Sequence, residues 1–203
     1  MTLLAFHIHF PAWDTALFLR LNGLHTPFWD AVMSFCTNLW NSLPVYLWMA
    51  WAFVRGLRRA GLLAVVFALL CFAAGDLLGA EVIKPMFSRL RPTHAPALDG
   101  LIHVVTDVGG RYGFVSIHAV TTFSLALFTT LVLGRRHPLS WFVWPWAALL
   151  SYSRIYVGKH YPLDVLAGTL AGLVLAVVFW LMWKRCVASC PFTNRKNLVS
   201  EKE

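Results

Sequence analysis

Apolar residues fill this chain in long runs, and polar residues are confined to short segments between them. Residues 31–54 carry no Lys, Arg, Asp or Glu, although Asn38, Asn41 and Pro44 interrupt the run. Residues 61–83 are apolar apart from Asp76 and Glu81. Residues 113–134 and 138–153 again lack all four charged types, and 165–183 is a clean run with small residues at Gly168 and Gly172. A membrane-crossing helix needs about 20 such residues, and backbone in lipid must satisfy its own hydrogen bonds. The pattern therefore predicts five membrane helices. Residues 11–30 contain Asp14, Arg20 and Asp30, with Trp13, Leu17, Phe18 and Leu21 at helical spacing. They read as an amphipathic helix at the membrane interface, or alternatively as a short span packed inside the bundle. The predicted fold class is all-α: a polytopic transmembrane helical bundle of five to six membrane helices plus an N-terminal interfacial helix. Residues 1–185 form one domain and 186–203 a polar cytoplasmic tail.

Composition moves the chain out of water. Of its 203 residues 59% are hydrophobic and 13% charged, against about 45–50% and about 25% in a typical soluble domain. The net charge of +8 raises nucleic acid as a partner, but that needs a basic patch on a water-exposed domain, and here the basic residues sit at the ends of apolar runs. No nucleic acid is expected. Arg55, Arg58 and Arg59 follow the first run, Arg135 and Arg136 the third, Lys184 and Arg185 the fifth. Alternating crossings put all three clusters on one side, which the positive-inside rule makes cytoplasmic. The N-terminal MTLLAFHIHFPAWD lacks the basic start of a cleavable signal. Cys36, Cys71, Cys186 and Cys190 show no complete metal spacing and read as free thiols. His7, His9, His25 and His137 read as interfacial residues.

Three polar segments then stand out on the opposite side: 84–92, 115–118 and 153–164. Ionisable groups at bilayer depth are costly unless paired or hydrated. Lys84 and Arg91 are seven residues apart and would share one face of a helix. As a compact charge and a planar fork they suit a phosphate, or else they snorkel to lipid headgroups; Arg89 is assigned to snorkelling. Ser116 starts an apolar helix as a natural N-cap, where backbone N–H groups favour an anion. His118, in the first turn, has the pKa range of a general acid. Arg154 is a further phosphate clamp. His160 precedes Pro162, and Asp164 lies four residues on, near the helix start, from where a carboxylate can orient an imidazole nucleophile. The plainer alternative is a capping Asp beside an interfacial His.

In this order the residues resemble the type 2 phosphatidic acid phosphatase (PAP2) superfamily, whose pattern is K-x6-R-P, then P-S-G-H, then S-R-x5-H-x3-D. The first motif matches at Lys84, Arg91 and Pro92, and the third at Ser153, Arg154, His160 and Asp164. The second departs: Val115 and Ile117 replace Pro and Gly around Ser116 and His118. The resemblance implies a helical-bundle lipid phosphatase working without metal or cofactor. It implies His160 as nucleophile, Asp164 as its orienting partner, His118 as general acid, and Lys84, Arg91, Ser116 and Arg154 as phosphate ligands. A glycine needed for positive φ at position 117 would make Ile costly. If 117 is instead the first helical residue, Ile is tolerated and its N–H faces the phosphate; the second case is preferred.

Outside these segments, Asp76 is a functional flag or a buried hydrogen bond to a neighbouring helix, and Glu81 is placed to pair with Lys84. The loop 93–112 reads as a lid or headgroup-recognition loop; no spacing demands a metal at His94, His103 and Asp107. Lys159 is placed to snorkel or to touch a second phosphate. The expected partners are a lipid phosphate substrate and membrane lipids; the sequence sets no oligomeric state. The favoured substrate is a polyprenyl diphosphate resembling undecaprenyl diphosphate. The alternatives are lipid A 1-phosphate, phosphatidylglycerophosphate and phosphatidic acid, or, in a different class, lipid-phosphate binding or transport without chemistry. The expected location is a bacterial cytoplasmic (inner) membrane with the site on its extracytoplasmic face.

Overall fold

A computed structural model describes residues 10–189, and among them there is no β-strand, only one isolated bridge between Leu90 and Tyr112. The helices are α1 (Ala12–Asn22), α2 (Pro27–Thr37), α3 (Leu43–Leu57), α4 (Arg59–Leu77), α5 (Lys84–Phe87), α6 (Ile117–Leu133), α7 (Pro138–Tyr156) and α8 (Pro162–Ser189). A π-helical turn, Leu78–Ile83, joins α4 to α5 without a break, so the chain is helical from Arg59 to Phe87. That segment and α8 are long and apolar enough to cross a membrane, and α6 is a shorter apolar helix of 17 residues.

The predicted apolar runs map onto these helices with one correction. The run 31–54 is not one span: α2 stops at Thr37, Asn38 accepts from the Trp40 N–H, and a 3-10 turn leads into α3. The polar side chains there compete for backbone donors and break the helix. In α8 the helix continues to Ser189, four residues into the segment read as tail; His7, His9, Cys190 and residues 190–203 lie outside the described part.

The centre of the bundle is α6, which packs on α3, α4, α7 and α8. Its contact with α8 is the closest, because α8 presents glycine there. A Cβ on Gly168 would stand 2.6 Å from the Ser116 carbonyl oxygen, a distance no side chain tolerates, so small residues let the two backbones meet. The main core is built from Met49, Phe53, Phe67, Leu125, Phe128, Val143 and Leu150. Around it Leu47, Trp51, Leu62, Leu69, Leu166, Leu170 and Val174 are exposed, an apolar surface too extensive for water and suited to lipid. At one end the Trp183 indole donates to the Ala60 carbonyl (3.1 Å) and Gly56 lies beside Leu133, which gathers the three basic clusters. The polar segments gather at the other end.

The N-terminal region departs from a simple interfacial helix. Asp14, Phe18 and Asn22 on α1 are fully or almost fully buried. The Asn22 amide donates to the carbonyls of His103 (2.9 Å) and Tyr156 (2.7 Å), and its oxygen accepts from the His103 N–H (2.8 Å). The polar side of α1 therefore fastens the 93–112 loop to α7. Asp76 is exposed rather than hydrogen-bonded inside the bundle, and no ion pair joins Glu81 to Lys84 among the described residues.

Candidate active site

Six chain segments meet at the same place. Lys84 comes from α5, Arg91 from the loop after it, Ser116 to His118 from the start of α6, Arg154 from the last turn of α7, His160 from the α7–α8 connection and Asp164 from the first turn of α8. The α6 and α8 starts are tied directly, the Ser116 N–H donating to the Asp164 carbonyl at 3.0 Å. The α7–α8 connection is held by the Arg154 carbonyl, which accepts from the N–H groups of Lys159 (2.9 Å) and His160 (3.1 Å).

Arg91 does not reach the site along a helix, as its seven-residue spacing from Lys84 suggested. The helix ends at Phe87, and Ser88 turns left-handed with φ 47°. The loop then pairs with itself: Arg91 N–H donates to the Arg111 carbonyl (3.0 Å) and Gly113 N–H to the Arg89 carbonyl (2.8 Å). Arg91 Nε donates to the Tyr112 carbonyl at 3.1 Å, which fixes the guanidinium. Lys84, Arg91 and Arg154 all lie within electrostatic reach of the His160 ring. Arg154 and Arg91 are 6% and 8% exposed, and like charges are brought together this closely only where an anion offsets them.

His160 is 2% exposed and Asp164 fully buried. His160 Nδ1 stands 3.4 Å from Asp164 Oδ2, so Nε2 is the ring nitrogen left for chemistry. Burial, reinforced by Arg154, Arg91 and Lys84, holds the His160 imidazole well below the ordinary histidine range, with the Gly113 carbonyl opposing. The ring is therefore neutral, with a free lone pair, at neutral pH. Asp164 Oδ2 also accepts from the Tyr161 N–H at 3.0 Å, and Oδ1 from Arg89 at 2.6 Å.

His118 Nε2 lies 3.2 Å from the Thr37 carbonyl. A carbonyl can only accept, so Nε2 carries the proton and Nδ1 is the nitrogen that gains and loses one. Thr37 Oγ1 in turn accepts from Arg154. Thr37 is thus a residue of the site that sequence reasoning missed; a threonine at the end of an apolar run carries no signal.

Ser116 sits at the N-cap position of α6, but its side chain does not cap the helix. Its Oγ is buried and unpaired, as is Arg154 Nε, and buried polar groups of that kind are normally satisfied by a partner. Ile117 is the first residue of α6, and the positive-φ non-glycine residues described are Arg58 and Ser88 alone. The helical alternative for position 117 is the one the backbone adopts. The Ile117 side chain packs over Gly79, where a Cβ would meet it at 2.8 Å.

Arg89 is the main correction. It is 9% exposed, not an interfacial cation. His103 and Asp107, weighed with His94 for a metal, have other partners: His103 Nε2 is 2.9 Å from Asp30, and Lys159 Nζ is 2.8 Å from Asp107. The second contact lays the loop across Lys159, which is 5% exposed.

Comparison with known proteins gives the family and the fold. The family described as the PAP2 superfamily matches residues 61–188. The chain is 37% identical to a lipid A 4'-phosphatase of Bacteroides thetaiotaomicron over 163 residues, 78% of this chain and 72% of that one. It is 32% identical to a lipid A 4'-phosphatase of Porphyromonas gingivalis over 182 residues, 86% of this chain and 77% of that one. The crystal structure of Aquifex aeolicus LpxE shares the fold with a TM-score of 0.66 at 23% identity, over 85% of this chain and 97% of that one.

Proposed function

The chain belongs to the PAP2 superfamily and is an integral membrane phosphatase, and on that premise we propose that it removes a phosphate from lipid A, at the 4' position, through a phosphohistidine on His160. The substrate rests on one observation: 37% identity to the Bacteroides lipid A 4'-phosphatase across 72% of its length. On that similarity we favour lipid A over the polyprenyl diphosphate read from sequence, and its 4'-phosphate over its 1-phosphate.

In the proposed reaction Lys84, Arg91 and Arg154 offset the charge of the phosphate. Ser116 Oγ and the Ile117 N–H at the start of α6 donate to its oxygens. His160 Nε2 attacks phosphorus in line, the bond to the lipid oxygen breaks, and protonated His118 gives its Nδ1 proton to that oxygen. A water then attacks the phosphohistidine while His118, now neutral, takes its proton. Inorganic phosphate leaves and His160 is restored. The preorganised cations supply the largest single contribution. Five helices (α3, α4, α6, α7 and α8) cross a bacterial inner membrane, with the basic clusters in the cytoplasm and the site outside.

The test is phosphate release in detergent from bisphosphorylated lipid A, undecaprenyl diphosphate, phosphatidylglycerophosphate and phosphatidic acid, with His160→Ala as control. Lipid A is expected to be the best substrate, losing its 4'-phosphate, with no release by His160→Ala. Faster release from undecaprenyl diphosphate would return the substrate to the polyprenyl class. Binding without release from any of the four would make the protein a carrier.

A further inference from the structure

We propose that Arg89 and Asp14 are positioning residues of this reaction: one guanidinium, anchored by the carboxylate of α1, holds Asp164 in the orientation that turns its second oxygen to His160. The inference rests on the reading of His160 as nucleophile with Asp164 behind it, and it extends the site to a helix that lies outside the matched residues 61–188.

The observations form one unbroken chain of contacts. Arg89 donates through one terminal nitrogen to Asp164 Oδ1 and through the other to Asp14 Oδ2, both at 2.6 Å. Asp14 Oδ1 accepts from the Leu163 N–H at 2.9 Å, so α1 also secures the first turn of α8. The Arg89 guanidinium carbon lies 3.8 Å from the centre of the Phe10 ring and 3.9 Å from that of Tyr161. The planar fork is clamped by two aromatic faces and two carboxylates, a geometry that a lysine ammonium cannot reproduce.

Each Asp164 oxygen then has a fixed hydrogen-bond donor: Oδ1 has Arg89 and Oδ2 has the Tyr161 N–H. His160 Nδ1, buried and without a hydrogen bond, faces Oδ2 at 3.4 Å. Rotating the carboxylate away from His160 breaks both bonds. Charge points the same way. Asp14, Asp164 and Arg89, all buried, sum to one surplus negative charge. When His160 Nε2 forms its bond to phosphorus the ring becomes cationic, and that surplus is offset at the moment positive charge develops. The other charged or titratable groups within electrostatic reach of Asp164 include Lys84 from α5, Arg91 from the loop, and His160 and Tyr161 from the α7–α8 connection.

Removing only the guanidinium leaves two buried carboxylates without their shared cation, the costly way to break a buried ion network. The test compares Asp14→Asn, Arg89→Lys, Arg89→Met, the double variant Asp14→Asn/Arg89→Met, and His160→Ala. Each is measured in detergent for turnover of p-nitrophenyl phosphate and for inhibition by inorganic phosphate, which reads the cation pocket independently. For Asp14→Asn, kcat is expected to fall about tenfold, and for Arg89→Met about 100-fold, as small misplacements of reacting groups do. The inhibition constant of phosphate should stay within about twofold, because the cations are untouched. Arg89→Lys should fall between wild type and Arg89→Met. The double variant should turn over faster than Arg89→Met alone, since it removes the uncompensated second carboxylate.

Wild-type kcat in Asp14→Asn, or a kcat loss matched by an equal loss of phosphate affinity, would overturn the inference. So would a double variant slower than Arg89→Met. If Arg89→Met does not fold, Asp14→Asn and Arg89→Lys decide. Activity retained in His160→Ala would instead sink the reading of the site itself; a dead His160→Ala beside a fully active Asp14→Asn would sink only this inference.

Discussion

His160 owes its reactivity to its surroundings more than to its own chemistry. Full burial and three nearby cations oppose a proton on the ring, holding its pKa below the ordinary range. The group is depressed, so it is deprotonated above its lowered pKa and stays available as the solution turns mildly acidic. In histidine-labelled protein in detergent, the NMR signal absent from His160→Ala should titrate at lower pH than a free imidazole, whose midpoint is about 6.5. A midpoint near the free value would show that the ring is not enclosed by Lys84, Arg91 and Arg154. At this scale much of the site was legible. Lys84, Arg91, Ser116, His118, Arg154, His160 and Asp164 are conspicuous because a membrane chain holds few polar groups at helix ends. Arg89 was misread because a cation two residues from a motif arginine looks the same whether it snorkels or is buried. Its partners, Asp14 and Asp164, are 75 residues away on either side. Nothing local encodes that pairing.

The helices are more legible than the connections between them. Apolar runs marked α4, α6, α7 and α8 because a helix that is buried in a bundle or faces lipid needs apolar residues on nearly every side. The break at Asn38 was visible as polar residues inside an apolar run, but its consequence, bringing Thr37 to Arg154 and His118, was not. The path of Arg91 was equally hidden, since it depends on a left-handed Ser88 and on a loop that pairs with itself. Ile117 shows why a motif departure need not cost function: it begins a helix, where a β-branched side chain is allowed, and it packs against Gly79. The α6–α8 contact sets the separation between Ser116 and Asp164. Gly168→Val would drive a side chain into the Ser116 carbonyl. It is expected to lower the melting temperature and abolish phosphate release, with a loss of more than about 2 kcal/mol for forced overpacking. Stability and turnover at wild-type level in that variant would show that the two helix starts are not held in contact.

The whole molecule places its exposed basic turns and its chemistry at opposite ends of one bundle. Basic turns gather around Ala60 and Trp183, while the ends of α2 and α7 and the starts of α5, α6 and α8 gather around His160. The apolar flank between them suits lipid, so a lipid phosphate can be met at the height of its headgroup while its tails remain in the bilayer. α1, read from sequence as a helix lying on the membrane or as a short span packed inside the bundle, supports the site by holding Arg89 and the start of α8. The central claim is that these helix ends form one oxyanion pocket around an imidazole nucleophile. The most direct test is rapid acid-free quenching of the protein with lipid A labelled with 32P at the 4' position, followed by peptide mapping. Label bound through nitrogen at His160, and lost in His160→Ala, is the predicted result. Turnover of lipid A with no label on His160 at any time point would contradict it.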